Sequence, residues 1–230
     1  MDEEYTLTIE QVIAFYLTKM KKFFEDAEIK CRDIVISIPS YCSNVERQSL
    51  LDAAEIAGLK CQRVINESTA IALQYGFFRK RDLDPKVERI VAFVDFGHSK
   101  TTITIAGFLQ DATRIICHKS DRNLGAREFD YDICKILGAE FEKKYGDNPM
   151  DNKRCIVRML EGVEKARKML SSVNDAVINI DYLLNEEDLV RTIKRDEFEA
   201  VCEPYMKRFK RLVNDTILAS GKHTFGMLLV

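Results

Sequence analysis

The sequence has no GxxxxGK[ST] segment, which excludes the phosphate loop that many nucleotide-binding folds share. It has no CxxC pair either: its seven cysteines, at positions 31, 42, 61, 117, 134, 155 and 202, are odd in number and widely spaced. That pattern speaks against zinc ligation and against a disulfide framework, and for reduced, mostly buried thiols in a cytoplasmic protein; the nucleus is kept as a second location. No run of about 18 apolar residues occurs, and the opening MDEEYTLTIE is acidic, so neither a membrane span nor a secretory leader is expected. Short-period repeats and low-complexity tracts are missing, which removes solenoid and disordered readings. A net charge of −2 gives no case for nucleic acid or an anionic membrane as partner.

What is present is enough for a sizeable core. The 230 residues are 46% apolar and 31% charged, ordinary values for a globular chain, and the length suits two lobes. Thr8 and Gln11 form a capping box opening a helix whose Val12, Ile13, Tyr16, Met20, Phe23 and Phe24 are expected to face inward. DIVISIP (33–39) reads as a short strand stopped by Pro39. Ser43 and Glu46 make a second capping box, with Gly58 as the residue after the helix. LKCQRVIN (59–66) is a strand and STAIALQYG (68–76) a helix ending at Gly76, capped by Asn66. Alternation at this spacing implies parallel strands with helices on their faces.

RKRDLDPKVER (79–89), charged and without an apolar period, is the expected boundary between a first region (1–78) and a second (90–230). Strands near 90–108 and 113–119 read as a meander. Helices are expected at 127–145 and 152–172, the second with an inward apolar stripe, then a hairpin in DAVINIDYL and DLVRTIK. Residues 120–195 thus form a helical and hairpin subdomain. A helix from Asp196 is expected to break at Pro204 and resume to Ala219, and FGMLLV (225–230) to form a buried strand. An apolar strand at the very end of the sequence suggests part of something larger.

The most informative stretch is IVAFVDFGHSKTTITI (90–105), an apolar strand closed by Asp95 and Gly97 and leaving as a second strand. A carboxylate at a strand end holds a cation or a water. A glycine there lets backbone N–H groups approach a phosphate. Glu67 stands just after a strand, where the helix dipole favours an acid. Glu164, Arg167, Lys168 and Ser171 fall at i, i+3, i+4 and i+7, on one helix face. The same spacing allows Glu164 and Lys168 simply to pair. His98 reads as a turn residue rather than a general base, since no carboxylate is placed in sequence to orient it. Cys42 follows Pro39 in a loop with nothing to lower its pKa, and is expected to be inert.

In the order of these motifs the chain resembles the ATPase domain of the seventy-kilodalton heat-shock family. The matching segments are VISIPSYCSNVERQSLLDAAEIAGLKCQRVINESTAIALQYG (35–76), VDFG (94–97), NLGAREFD (123–130) and EGVEKARKMLSS (161–172), and the similarity weakens after about 200. Gly97-His98-Ser99-Lys100 in place of a glycine triplet and Thr, Ser68 in place of Pro, and Ala126 in place of Gly are similar to the hundred-and-ten-kilodalton branch. The resemblance implies an α/β, actin-like (ribonuclease H-like) two-lobed ATPase fold, incomplete at both ends. It implies ATP or ADP with Mg2+, Asp95 and Glu67 placing the cation and attacking water, and Asp95 reaching the metal through water. It gives Gly97, His98 and Ser99 backbone donors to phosphate, and Asp121 and Gly125 a turn against the ribose. Glu164, Arg167, Lys168 and Ser171 would then lie along the adenine and ribose. For Lys100 two readings stay open, positive charge toward ATP or a solvent-facing side chain.

The same resemblance implies a molecular chaperone acting as a nucleotide-exchange factor on a seventy-kilodalton chaperone partner, and holding unfolded client proteins through a domain not in this sequence. The alternative is an ATP-hydrolysing chaperone of the main type. An actin-like filament protein or sugar kinase shares the hairpin but not the segment 35–76. The family's first phosphate loop, its catalytic lysine and its last adenosine loop have no counterpart here. Weak ATP affinity and weak or absent hydrolysis are therefore expected of the isolated chain.

Overall fold

In the computed structural model, residues 6–29, 32–221 and 226–229 are described, the last three in backbone alone. By their contacts they fall into two units, one reaching to Arg89 and including Ala106–Ile115, the other holding Ile90–Ile105 and the chain from Ile116 onward.

In the first unit both capping boxes form as the sequence predicts. The Gln11 N–H donates to the Thr8 hydroxyl at 3.3 Å while the Gln11 carboxamide oxygen accepts from the Thr8 N–H at 3.0 Å, opening α1 (Ile9–Asp26). Ser43 and Glu46 repeat the exchange at 3.3 and 2.6 Å at the start of α2 (Asn44–Ile56). Gly58 ends that helix at φ +67°, a left-handed conformation that costs glycine little. Its N–H reaches the Glu55 carbonyl and the Leu59 N–H the Ala54 carbonyl, so two of the helix's last acceptors are satisfied.

Strand β1 (Asp33–Ile38) pairs in parallel with β2 (Lys60–Asn66), from Asp33↔Lys60 to Ile38↔Asn66, with an irregularity at Ile34/Val35. The core between α1, α2 and these strands is Ala14, Ala53, Ala54, Ala57 and Leu59, edged by Ile13, Leu17, Ile34 and Ile36. This corrects the expected inward face of α1. Val12, Tyr16, Met20, Phe23 and Phe24 are exposed; Ile13, Ala14 and Leu17 carry the contact. Alanines on both helices make the seam, and it is too narrow to cover a stripe as wide as the sequence offered.

Helix α3 (Glu67–Arg79) runs three residues past Gly76, which was expected to end it. Gly76 serves close packing instead: a Cβ there would lie 2.8 Å from the Thr113 hydroxyl. Beside it the Tyr75 ring meets Phe108 at 4.8 Å between centroids. Asn66 holds the N-cap position but makes no capping bond; its Oδ1 accepts from Arg47 Nη2 at 2.7 Å. The charged stretch 79–89 is ordered. A 3₁₀ turn spans Lys80–Asp82, Leu83 is buried, and the Asp84 carboxylate accepts from the Lys86 and Val87 N–H groups at 2.6 and 2.8 Å.

The meander is present as β3 (Arg89–Phe96), β4 (Thr101–Leu109) and β5 (Ala112–Asp121). Strand β8 (Gly226–Leu229) adds to β3 in parallel, Val91↔Gly226 to Val94↔Leu229, giving the order β5-β4-β3-β8. Phe225 and Val230, the ends of the expected final strand, lie outside the described residues.

The second unit continues with α4 (Ala126–Tyr145), α5 (Lys153–Leu170), the antiparallel pair β6 (Asp175–Leu184) and β7 (Glu187–Lys194), and α6 (Arg195–Ser220). Asn185 and Glu186, both at positive φ, make the two-residue turn of a hairpin. Its core joins Ile133, Leu137 and Phe141 of α4 to Met159, Val163 and Leu170 of α5 and to alternate residues of the hairpin. The inward stripe expected for α5 is there. The break expected at Pro204 is not. Helix α6 passes through it unbroken, with Pro204 exposed, so water can take the Ala200 carbonyl that loses its intrahelical donor. No helix among the described residues is long and apolar enough to cross a membrane.

Candidate functional site

Val91, Ala92, Phe93 and Val94 are all buried, so β3 is held on both faces and delivers Asp95 to a fixed place at its end. The turn that follows closes when the Gly97 N–H donates to the Lys100 carbonyl at 2.9 Å. That N–H is therefore not among those the turn can direct at a phosphate. Asp95 is half-buried beside the turn, its Oδ1 3.8 Å from where a Gly97 Cβ would stand.

The turn is fastened to the start of α4. The Ala126 N–H donates to the Gly97 carbonyl at 3.1 Å and the Arg127 N–H to the His98 carbonyl at 2.9 Å. Two helix-start donors are thereby spent within the protein rather than on an anion. Gly125 permits the approach: a Cβ on it would fall 2.3 Å from the His98 oxygen and 2.7 Å from the Ser99 carbonyl carbon. Its backbone is extended, so the demand is for space, not for an unusual φ.

Behind the turn lies a cleft of about 490 Å³. Tyr131, Val157 and Leu160 contribute its apolar lining; His98, Arg127, Glu128, Asp130, Glu161 and Glu164 contribute the polar part. A larger hollow of about 740 Å³ lies in the first unit around Arg32, Leu51, Glu55 and Lys60, and contains none of the expected site residues. Asp130 is 3% exposed and binds Arg167 twice, Nε to Oδ1 at 2.7 Å and Nη2 to Oδ2 at 3.2 Å, tying α4 to α5. Burial, with Asp130 as a further cause, pushes the Cys134 thiol up to about 12 and the Cys202 thiol up to about 11.

The three residues on one face of α5, and Ser171 just past its end, are thus placed separately. Glu164 lines the cleft and pairs with Lys168 at 2.7 Å; the hydrogen bond from Lys168 holds its carboxyl below the usual range, with a smaller contribution from His98. Arg167 is committed to Asp130. Ser171 Oγ donates to the Lys168 carbonyl at 2.6 Å, closing the helix end. Asp121 accepts from Arg208 Nη2 at 2.8 and 2.7 Å and from the Asn123 N–H at 3.0 Å, and does not line the cleft. Glu67 is half-buried at the first turn of α3, in the first unit. Lys100 is half-buried in the turn.

The structure therefore gathers Asp95, Gly97, His98, Ser99, Lys100, Gly125 and Glu164 in the second unit. Sequence reasoning missed Thr101, Arg127, Glu128, Asp130 and Tyr131. For Asp130 a signal existed: it stands on the buried stripe Phe129, Asp130, Ile133, Cys134, Leu137, an acid among apolar positions. Among the described residues no group of three or more His, Cys, Asp or Glu is clustered for a metal.

The Hsp70 protein family model matches residues 1–224. The chain is 38% identical over 216 residues to the 97 kDa heat shock protein of Mesocentrotus franciscanus, covering 90% of this chain and 24% of that protein. It is 37% identical over 212 residues to heat shock 70 kDa protein 4L of Homo sapiens, covering 90% and 25%, and 36% identical over 222 residues to heat shock 70 kDa protein 14 of Arabidopsis thaliana, covering 96% and 27%. The chain belongs to the Hsp70 family, and its α/β architecture is that of the family's actin-like ATPase fold. A relative named for 97 kDa agrees with the resemblance to a larger branch. The chain spans about a quarter of the length of the curated relatives it matches.

Proposed function

We propose that the chain is part of a cytoplasmic ATP-binding chaperone that acts chiefly as a nucleotide-exchange factor on a seventy-kilodalton chaperone partner. Clients would be held by a further domain of the whole protein. The observation that carries the reading is the state of the 97–100 turn. Its Gly97 N–H and three of its carbonyls, those of Gly97, His98 and Lys100, already have partners inside the protein, and His98 and Ser99 occupy it where glycines would leave φ free. A turn so fixed suits holding a nucleotide, and through it a partner-binding shape, better than wrapping a phosphate during transfer.

The residues present fit ADP or ATP. Tyr131, Val157 and Leu160 would take the base and Glu164 the ribose hydroxyls, with the turn toward the phosphates. Mg2+ bound with phosphates keeps several waters and needs only one or two carboxylates, so Asp95 alone suits it through water. The bound metal would offset phosphate charge. Asp95 would orient a metal-bound water, while Tyr131 and the apolar lining shield the base.

The test is release of a fluorescent ADP from a seventy-kilodalton partner chaperone, with and without this protein. Accelerated release that disappears with Asp95→Asn supports exchange; no acceleration removes it. A second reading, hydrolysis by the main mechanism, is favoured by Asp95 at the strand end and Glu67 at the head of α3. Single-turnover hydrolysis separates the two. Slow turnover that rises with Lys100→Thr favours exchange, whereas fast turnover abolished by Asp95→Asn favours hydrolysis.

A further inference from the structure

We propose that Thr101 is a positioning residue of the nucleotide site, whose buried hydroxyl, together with Gly125, clamps the 97–100 turn onto the first turn of α4. The inference rests on the nucleotide reading above. Thr101 is 0% exposed, and its Oγ1 donates to the Leu124 carbonyl at 2.7 Å. With both groups in the interior, neither can turn to water if the bond is lost, so it is held wherever the fold persists. It is the third bond between the same two segments. The Ala126 and Arg127 N–H groups reach forward to Gly97 and His98, while Thr101, on the other flank of the turn, reaches back to the residue before Gly125.

Together these bonds leave the turn one position relative to α4. Since the Ala126 and Arg127 N–H groups are spent inside the clamp, a phosphate must be met by the turn itself, and where the turn stands decides how well. The side chains of His98, on the turn, and of Arg127 and Glu128, on α4, line the same cleft and are set by the same clamp.

The test compares Thr101→Val, which keeps shape and loses the hydroxyl, with Thr101→Ser, which keeps the hydroxyl; Thr101→Ala replaces the valine variant if that fails to fold. Three measurements are made on each: titration with fluorescent ADP, the imidazole NMR signals of His98 among the chain's three histidines, assigned with His98→Gln, and thermal unfolding. Thr101→Val is expected to weaken ADP binding about tenfold and to shift or broaden the His98 signal, and Thr101→Ser to return both to within about twofold of wild type. An unchanged His98 signal with unchanged affinity in a folded valine variant overturns the proposal, as does a folded serine variant that restores neither. If wild type binds no ADP, the functional reading fails. The His98 signal then decides the clamp alone, a shift restored by serine supporting it and no shift overturning it.

Discussion

Asp130 shows what a single buried charge demands. Its carboxylate is nearly enclosed and its partner Arg167 is 22% exposed, so removing one leaves the other charged and poorly solvated. Asp130→Ala is expected to cost about 3 kcal/mol, the lower end for a broken buried pair because Arg167 keeps some water; urea denaturation measures it. The neighbouring thiols follow from the same burial. With pKa values of about 12 and about 11, Cys134 and Cys202 stay protonated near pH 8, and a thiol reagent is expected to label them only when the native state opens. Tyr205 is raised to about 12, by burial first and then by its hydrogen bond to Asp132. Its contribution is whole below the ordinary phenol value near 10 and is lost as pH climbs through about 12. Alkaline unfolding should begin in that window and move with Tyr205→Phe. None of these pairings was legible in the sequence. Asp130 and Arg167 lie 37 positions apart, and no local spacing announces such a partner.

At the scale of elements, local chemistry was readable and its tertiary use was not. Both capping boxes, the parallel β1–β2 pair, the meander and the β6–β7 hairpin follow from residues close in sequence, and all are present. Gly76 and Pro204 were misread for one reason: each is a helix breaker by propensity, and each is kept inside a helix by its surroundings. At Gly76 the nearby Thr113 leaves no room for a Cβ, and at Pro204 exposure lets water take the freed carbonyl. Pro204→Ala should restore the missing bond to the Ala200 carbonyl and stabilise the protein by about 1–3 kcal/mol, measured by chemical denaturation. Gly125→Ala should do the opposite through the His98 carbonyl, and should shift the His98 imidazole signal. For α1 the apolar period was right and the covered face was wrong, because periodicity tells how wide a stripe is but not what lies opposite.

At the scale of the molecule, two of the cores among the described residues, that of α1 and α2 and that of α4, α5 and the hairpin, are unequal. The first is built mostly from alanine side chains, the second from Phe, Met, Ile, Leu and Val across α4, α5 and the hairpin. Burial of a large aliphatic contributes about 1.5–3 kcal/mol and an alanine much less. Unfolding should therefore occur in more than one step, with early proteolytic cuts before residue 89 and later ones within 126–194; pulse proteolysis with mass mapping checks the order. Phe15, Tyr16 and Phe23, all more than half exposed on α1, should bind a hydrophobic dye in the native state, and Phe15→Ser with Phe23→Ser should reduce that signal.

The parallel seating of β8 on β3 sets a timetable for biosynthesis. Val91–Val94 leave the ribosome long before Gly226–Leu229 exist, so one margin of a strand rich in valine and phenylalanine stays bare until that later segment is made. For that interval the unpaired margin is open to pairing with another chain, which makes it the place where misassembly would start.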